Sequence, residues 1–159
     1  MSPPDAKNLP RLSYAVAFLE RSLRRALAEA LSPFDLTLAH YTVLSLLGLR
    51  DALSNAQLAR RAYVTPQAMS EIVRYLESRG LVVRAPSPDH ARIHPARLTA
   101  LGRTVLDKCD SAVDRVENGL VGGTAPDPAL VQTLMQYARA LEDGAKTTAK
   151  PTGTDAAGA

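Results

Sequence analysis

The stretch that most constrains this chain is Thr65-Pro66-Gln67-Ala68-Met69-Ser70-Glu71-Ile72-Val73-Arg74-Tyr75-Leu76-Glu77-Ser78-Arg79-Gly80. Thr65 can cap a helix, and Pro66 suits the first helical position, where its missing N–H would find no partner anyway. Gly80 can take the left-handed conformation that closes the helix. Met69, Ile72, Val73 and Leu76 recur at three- and four-residue spacing and make one apolar face. Gln67, Ser70, Arg74 and Ser78 occupy the opposite face. Short hydrogen-bonding side chains around a single arginine suit the floor of a DNA major groove, where each base pair presents its own donor and acceptor pattern.

The flanking segments fit the same geometry. Ser54-Asn55-Ala56-Gln57 reads as a capping box. It opens a short helix over 55–62, with Leu58, Ala59 and Ala62 inward and Arg60 and Arg61 at its end. Tyr63-Val64 leaves only a tight joint before the next helix, so the pair reads as a helix-turn-helix. After Gly80 the helical period is lost. Residues 81–84 and 93–98 read as strands around a loop holding Pro86 and Pro88, which together form a wing.

The order of these pieces resembles the MarR family of winged-helix regulators. The resemblance rests on Asn55-Ala56-Gln57-Leu58-Ala59-Arg60-Arg61-Ala62, Thr65-Pro66-Gln67-Ala68-Met69, Leu76-Glu77-Ser78-Arg79-Gly80-Leu81-Val82, the wing, and Leu98-Thr99-Ala100-Leu101-Gly102. It covers roughly residues 9–141. The family's wing reads Asp-Pro-Asp-His-Gly-Arg, and here it reads Ser87-Pro88-Asp89-His90-Ala91-Arg92. The resemblance implies a mainly α fold, a homodimer, double-stranded DNA as partner and a small ligand that modulates binding.

The rest of the chain supplies the remaining parts. Leu12, Val16, Leu19, Leu23, Leu27 and Ala30 mark an amphipathic helix over 9–31, about 33 Å long. Its stripe is too long for a small winged helix to cover alone. Thr37 caps a second helix running to residue 49. Thr99 caps a long helix to about residue 121, striped by Leu101, Val105, Cys109, Ala112, Val113, Val116 and Leu120. Asp127-Pro128 opens a last helix, 129–142, with Leu130, Leu134, Tyr137 and Leu141 inward. The expected organisation is a disordered N-terminus at 1–8, dimerisation helices at 9–36 and 99–143, the winged helix-turn-helix at 37–98, and a disordered tail at 144–159. Interdigitated terminal helices would set two recognition helices about one DNA turn apart, ~34 Å.

Charge supports the DNA reading. Residues 50–103 carry nine arginines against four acidic residues, a local +5, while the rest of the chain sums to −2. Gln67, Ser70 and Arg74 are the candidate base readers, and Thr65 caps the helix and touches a phosphate. Arg60, Arg61, Arg84 and Arg97 are candidate phosphate contacts, each with a nearby carboxylate as its alternative partner. Arg92 resembles the family's wing arginine, placed to enter a narrow minor groove. By resemblance, Tyr14, Phe18, His40, Tyr41 and Leu44 would line a pocket for a small aromatic or phenolic acid, with Arg11 facing its carboxylate. The competing reading makes those side chains simple core.

Other classes have little to rest on. Cys109 is the only cysteine, which leaves no internal disulfide. It reads as a buried small hydrophobe at the dimer interface rather than a redox thiol, since Asp107 and Asp110 lie as near as Lys108. His40, His90 and His94 are too dispersed for a metal site, and no cofactor is expected. No nucleophile–base pair or phosphate-cradling glycine loop suggests an enzyme. No apolar run approaches the roughly 18 residues of a membrane span, and residues 1–11 lack a signal-peptide core, so a cytoplasmic protein without a membrane partner is expected. The second reading is a winged-helix module that binds a protein or small molecule without specific DNA binding, on the strength of Ser87 and Ala91.

Overall fold

Side-chain caps set where the helices begin. In the computed structural model, which describes residues 10–84, 94–120, 122–123 and 126–148, the order is α1 (Leu12–Leu31), a 3-10 turn (Ser32–Phe34), α2 (Leu38–Leu49), α3 (Asn55–Arg61), α4 (Pro66–Ser78), β1 (Val82–Arg84), β2 (Ala96–Leu98), α5 (Ala100–Leu120) and α6 (Pro128–Thr148). The fold is mainly α, with a two-stranded antiparallel wing. Thr37 Oγ1 accepts from the His40 N–H, and the Thr37 N–H donates to His40 Nδ1, closing a capping box. Ser54 and Gln57 close a second one at α3. Thr65 accepts from the Ala68 N–H at α4, with Pro66 following. Such caps satisfy N–H groups that the first helical turn leaves unpaired.

The chain divides into two compact units, residues 1–116 and 117–159. The first has one core built from Leu31, Val43, Leu44, Leu47, Leu58, Met69, Val73 and Leu76, with Leu81, Val82 and Ala96 from the wing. Each buried side chain of this size contributes about 1.5–3 kcal/mol, an upper bound. Val82 pairs with Leu98 and Arg84 with Ala96. Leu53 also exchanges both backbone hydrogen bonds with Ala96, so the segment before α3 braces the wing from its other side.

The end of α4 and the start of α5 are joined through one residue. The Thr99 N–H donates to the Leu81 carbonyl, and its hydroxyl donates to the Gly80 carbonyl while accepting from the Gly102 N–H. Gly102 lies so close to Leu81 that a Cβ there would stand 2.0 Å from the Leu81 carbonyl oxygen. No side chain fits that approach.

Several boundaries and faces differ from the sequence-based expectation. Helix α1 starts at Leu12, with Pro10 before its cap Arg11, and Leu12, Val16 and Leu19 are exposed while only Leu27 and Leu31 are buried. In α5 the expected inward Leu101 is exposed and Leu106 is buried in its place. The Gly102 contact fixes the rotation of that helix, so 102, 106, 109 and 113 face inward. Cys109 belongs to the chain's own core rather than to a surface left for a partner. Helix α6 continues to Thr148, past the expected end at 142 and into the segment read as a tail, because Gly144 costs only about 1 kcal/mol and Ala145 and Lys146 favour helix. None of its described residues is buried.

Candidate nucleic-acid interface and adjoining groove

The helix-turn-helix is held by polar links as well as by its core. Asn55 Nδ2 donates to the Pro66 carbonyl at 3.1 Å and to Ser70 Oγ at 3.0 Å, which ties the first residue of α3 to the first turn of α4. Ser70 Oγ in turn donates to the Pro66 carbonyl at 2.9 Å. The Ser70 hydrogen is therefore engaged, and toward a base the hydroxyl can act only as an acceptor. Met69, Val73 and Leu76 anchor the inner face, while Gln67, Glu71, Arg74 and Ser78 are exposed on the outer one.

The candidate phosphate contacts separate into two groups. Arg60 and Arg61 are exposed in the last turn of α3, and Arg97 is exposed on β2; among the described residues none has a carboxylate partner. Arg84 is different. Its guanidinium grips Glu77 with two hydrogen bonds of 3.1 and 2.7 Å, and that bonding raises its pKa. The carboxylate alternative is the one realised at Arg84, and its charge is largely matched within the protein. Arg92 lies outside the described residues.

A second polar cluster joins the α1–α2 turn to the end of α4. Asp35 takes a left-handed conformation, φ 56°, and its carboxylate accepts from the Tyr75 hydroxyl at 2.9 Å and from Arg79 at 2.8 Å. The Asp35 carbonyl accepts from the same hydroxyl at 2.7 Å. His40 stacks on Tyr75 with ring centroids 4.3 Å apart. Burial lowers the His40 pKa; Asp35 opposes that shift and Arg79 adds to it. Beside this cluster is an open groove of about 710 Å³ lined by Arg24, Ala28, Thr37, His40 and Tyr75 among others.

Of the six candidate ligand residues, only His40 lines this groove. Leu44 is fully buried in the core. The Tyr41 hydroxyl donates to Asp110 Oδ1 at 2.8 Å, linking α2 to α5. Tyr14 and Phe18 are exposed on α1, and Arg11 is exposed at its cap. Cys109 is pushed up to about 11 by burial and by the Asp110 carboxylate, which makes it a poor thiolate. No group of three His, Cys, Asp or Glu side chains among the described residues converges as a metal site would require. Among them no helix is long and apolar enough to cross a membrane.

Sequence reasoning missed Asn55, Asp35 and Arg79. Asn55 directly after the cap Ser54 was a usable signal, since a polar amide there can reach the neighbouring helix. The Asp35 links span 40 and 44 residues and leave no local trace.

A sequence profile described as the MarR family matches residues 34–93. The HTH-type transcriptional repressor Rv2887 of Mycobacterium tuberculosis (strain ATCC 25618 / H37Rv) is 41% identical over 102 residues, 64% of this chain and 73% of that protein. Among solved structures, the M. tuberculosis MarR family protein Rv2887 in complex with salicylic acid superposes with a TM-score of 0.61 at 33% identity, over 86% of this chain and 98% of that one. The transcriptional regulator BldR from Sulfolobus solfataricus superposes with a TM-score of 0.73 at 24% identity, over 87% and 99%. At that identity the likeness speaks for the fold alone.

Proposed function

The chain belongs to the MarR family, and on that footing we propose that it is a homodimeric transcriptional repressor that binds a palindromic operator and is released by a small aromatic acid. The observation that carries this reading is the outer face of α4. Gln67 and Arg74 are exposed and, among the described residues, unpaired on a helix that buries Met69, Val73 and Leu76, and Arg60 and Arg61 on α3 likewise have no carboxylate partner there. A face so presented can enter the major groove while the arginines meet phosphates. Gln67, Ser70 and Arg74 read bases, Thr65 and Arg97 meet phosphates with Arg60 and Arg61, Arg92 enters the minor groove, and Arg84 acts through Glu77 rather than on DNA.

The dimer is supported by apolar side chains left exposed on α1 and α6. Leu12, Tyr14, Val16, Phe18 and Leu19 are exposed on the first, and Leu130, Val131, Leu134, Met135 and Leu141 on the second. Apolar patches of this extent on a small chain are what a second copy covers. Dimerisation helices at 9–36 and 99–143 and a DNA-binding module at 37–98 follow from that assignment.

The ligand class comes from Rv2887, whose structure holds salicylic acid. In this chain Arg11 offers a cation for the carboxylate and Tyr14 and Phe18 offer rings on α1, while on α2 His40 lines the groove, Tyr41 is bonded to Asp110 and Leu44 is core. The acid lowers DNA affinity by preferring a dimer whose recognition helices are mis-spaced for consecutive grooves.

The test is a fluorescence-anisotropy titration against DNA from immediately upstream of the gene and against a scrambled duplex, at two salt concentrations, with and without salicylate. Tight, salt-sensitive binding that prefers the upstream DNA and weakens with salicylate is expected. Weak binding, equal on both duplexes and indifferent to salt, overturns the reading.

A further inference from the structure

The two helices of the helix-turn-helix end in the same backbone motif with different residues at its critical position. At the end of α4 the Leu81 N–H reaches back to the Leu76 carbonyl at 3.0 Å, and the residue between, Gly80, has φ 67°. At the end of α3 the Val64 N–H reaches back to the Ala59 carbonyl at 3.1 Å, and the residue between, Tyr63, has φ 54°. This closure puts the intervening residue in the left-handed region, which glycine enters freely and a bulky side chain resists. An aromatic side chain at such a place calls for a compensating interaction.

The only other non-glycine residue with positive φ among the described residues has one. Asp35 is held there by its bonds to Tyr75 and Arg79. Tyr63 has nothing comparable. The residue is 74% exposed and, among the described residues, makes no side-chain hydrogen bond, ring contact or ion pair. Nothing among the described residues accounts for a tyrosine where Gly80 shows the unstrained solution.

The surroundings indicate what lies outside. Arg60 and Arg61 precede Tyr63 by three and two positions, both exposed and without carboxylate partners among the described residues, and Thr65 and Gln67 follow it. An exposed phenol among unmatched cations suits a polyanion better than an apolar protein surface. We propose that Tyr63 contacts the sugar–phosphate backbone of DNA from the turn between the two helices, its hydroxyl donating to a phosphate oxygen and its ring lying against deoxyribose. The proposal rests on the DNA-binding reading above and adds a contact that positions the protein without reading sequence.

The experiment compares the full chain with Tyr63→Gly and Tyr63→Phe, by thermal unfolding and by anisotropy titration against upstream and scrambled duplexes over a salt series. Tyr63→Gly relieves the backbone, so its Tm is expected to rise by a few degrees. Its affinity for both duplexes is expected to fall roughly tenfold, the worth of one hydrogen bond to a charged group. The dependence of log affinity on log salt should keep its slope, because a neutral phenol releases no counterion, whereas Arg61→Ala should reduce that slope by about one. Tyr63→Phe removes the same hydrogen bond and keeps the ring, so it should also lose close to tenfold on both duplexes, with no rise in Tm. Undiminished affinity of Tyr63→Gly for both duplexes overturns the inference while leaving the DNA-binding reading intact. A loss confined to the upstream duplex makes Tyr63 a base reader and overturns it too, as does a lowered Tm for Tyr63→Gly. Failure of the unaltered protein to bind any duplex overturns the DNA-binding reading itself.

Discussion

Helices α4 and α6 carry apolar stripes of similar periodicity and end in opposite situations. In α4, Met69, Val73 and Leu76 are at most 1% exposed. In α6, Leu130, Leu134 and Leu141 are 50%, 40% and 77% exposed. The periodic spacing reports that a helix has an apolar side, and it does not report what covers that side. For α4 the cover is α2, α3 and the wing of the same chain. For α6 no cover comes from the described residues of the same chain, and the proposed function assigns it to a second copy.

The comparison can be broken most forcefully at Leu76. Leu76→Ala opens a cavity in a packed core and is expected to cost about 3 kcal/mol. The loss should appear in urea unfolding at every protein concentration. Leu134→Ala, measured on dilute protein, should cost far less, and equal losses at the two positions would erase the distinction. The next effect is on assembly. Leu134→Glu places a charge on the proposed interface and should weaken the dimer by roughly a hundredfold, on the order of 2–3 kcal/mol, read by sedimentation at micromolar protein. A dimer of unchanged strength would move the interface away from α6.

A smaller and separable effect belongs to the outer face of α4. Arg74→Ala should reduce the preference for operator over scrambled DNA by about tenfold, the worth of a good base contact, with the dimer intact. An unchanged preference would relocate the reading face. The smallest effect is a pH dependence. The folded protein lowers the His40 pKa from its ordinary 6.5, so it favours the neutral ring whose Nδ1 accepts from Thr37. The stability this contributes is present above pH 6.5 and is lost as pH falls below it, because the unfolded chain then binds the proton more readily. His40→Gln should flatten the slope of Tm between pH 7 and 5.5, and an unaltered slope would assign that dependence to another group.

Local signals were the legible ones. Ser54 with Gln57, Thr37, and Thr65 with Pro66 announce their helices because cap and capped N–H lie within three residues of each other. The outer face of α4 followed from the same helix, and there only Ser70 held something unforeseen, since its hydrogen goes to Pro66. What stayed hidden depends on contacts distant in sequence. The Leu53–Ala96 bridge, the Asp35–Tyr75–Arg79 cluster and the link from Tyr41 to Asp110 bring together residues that no period relates. Leu101 and Leu106 show the same limit within one helix. Both suit an apolar stripe, and the close approach of Gly102 to Leu81 decides which of them turns inward.

That approach also gives the wing side of the molecule a mechanical property. Thr99 caps the start of α5 and holds the carbonyls of Gly80 and Leu81, just past the end of α4, so the two helices meet at a joint with little play. Helix α4 extends away from this joint for 13 residues, about 20 Å. A tilt of about 10° at the joint therefore moves the Thr65 end by about 3.5 Å, close to the rise of one base pair. With Gly80 as the fulcrum, any rotation of α4 about that joint is smallest beside α5 and largest at Thr65, at the far end of the helix.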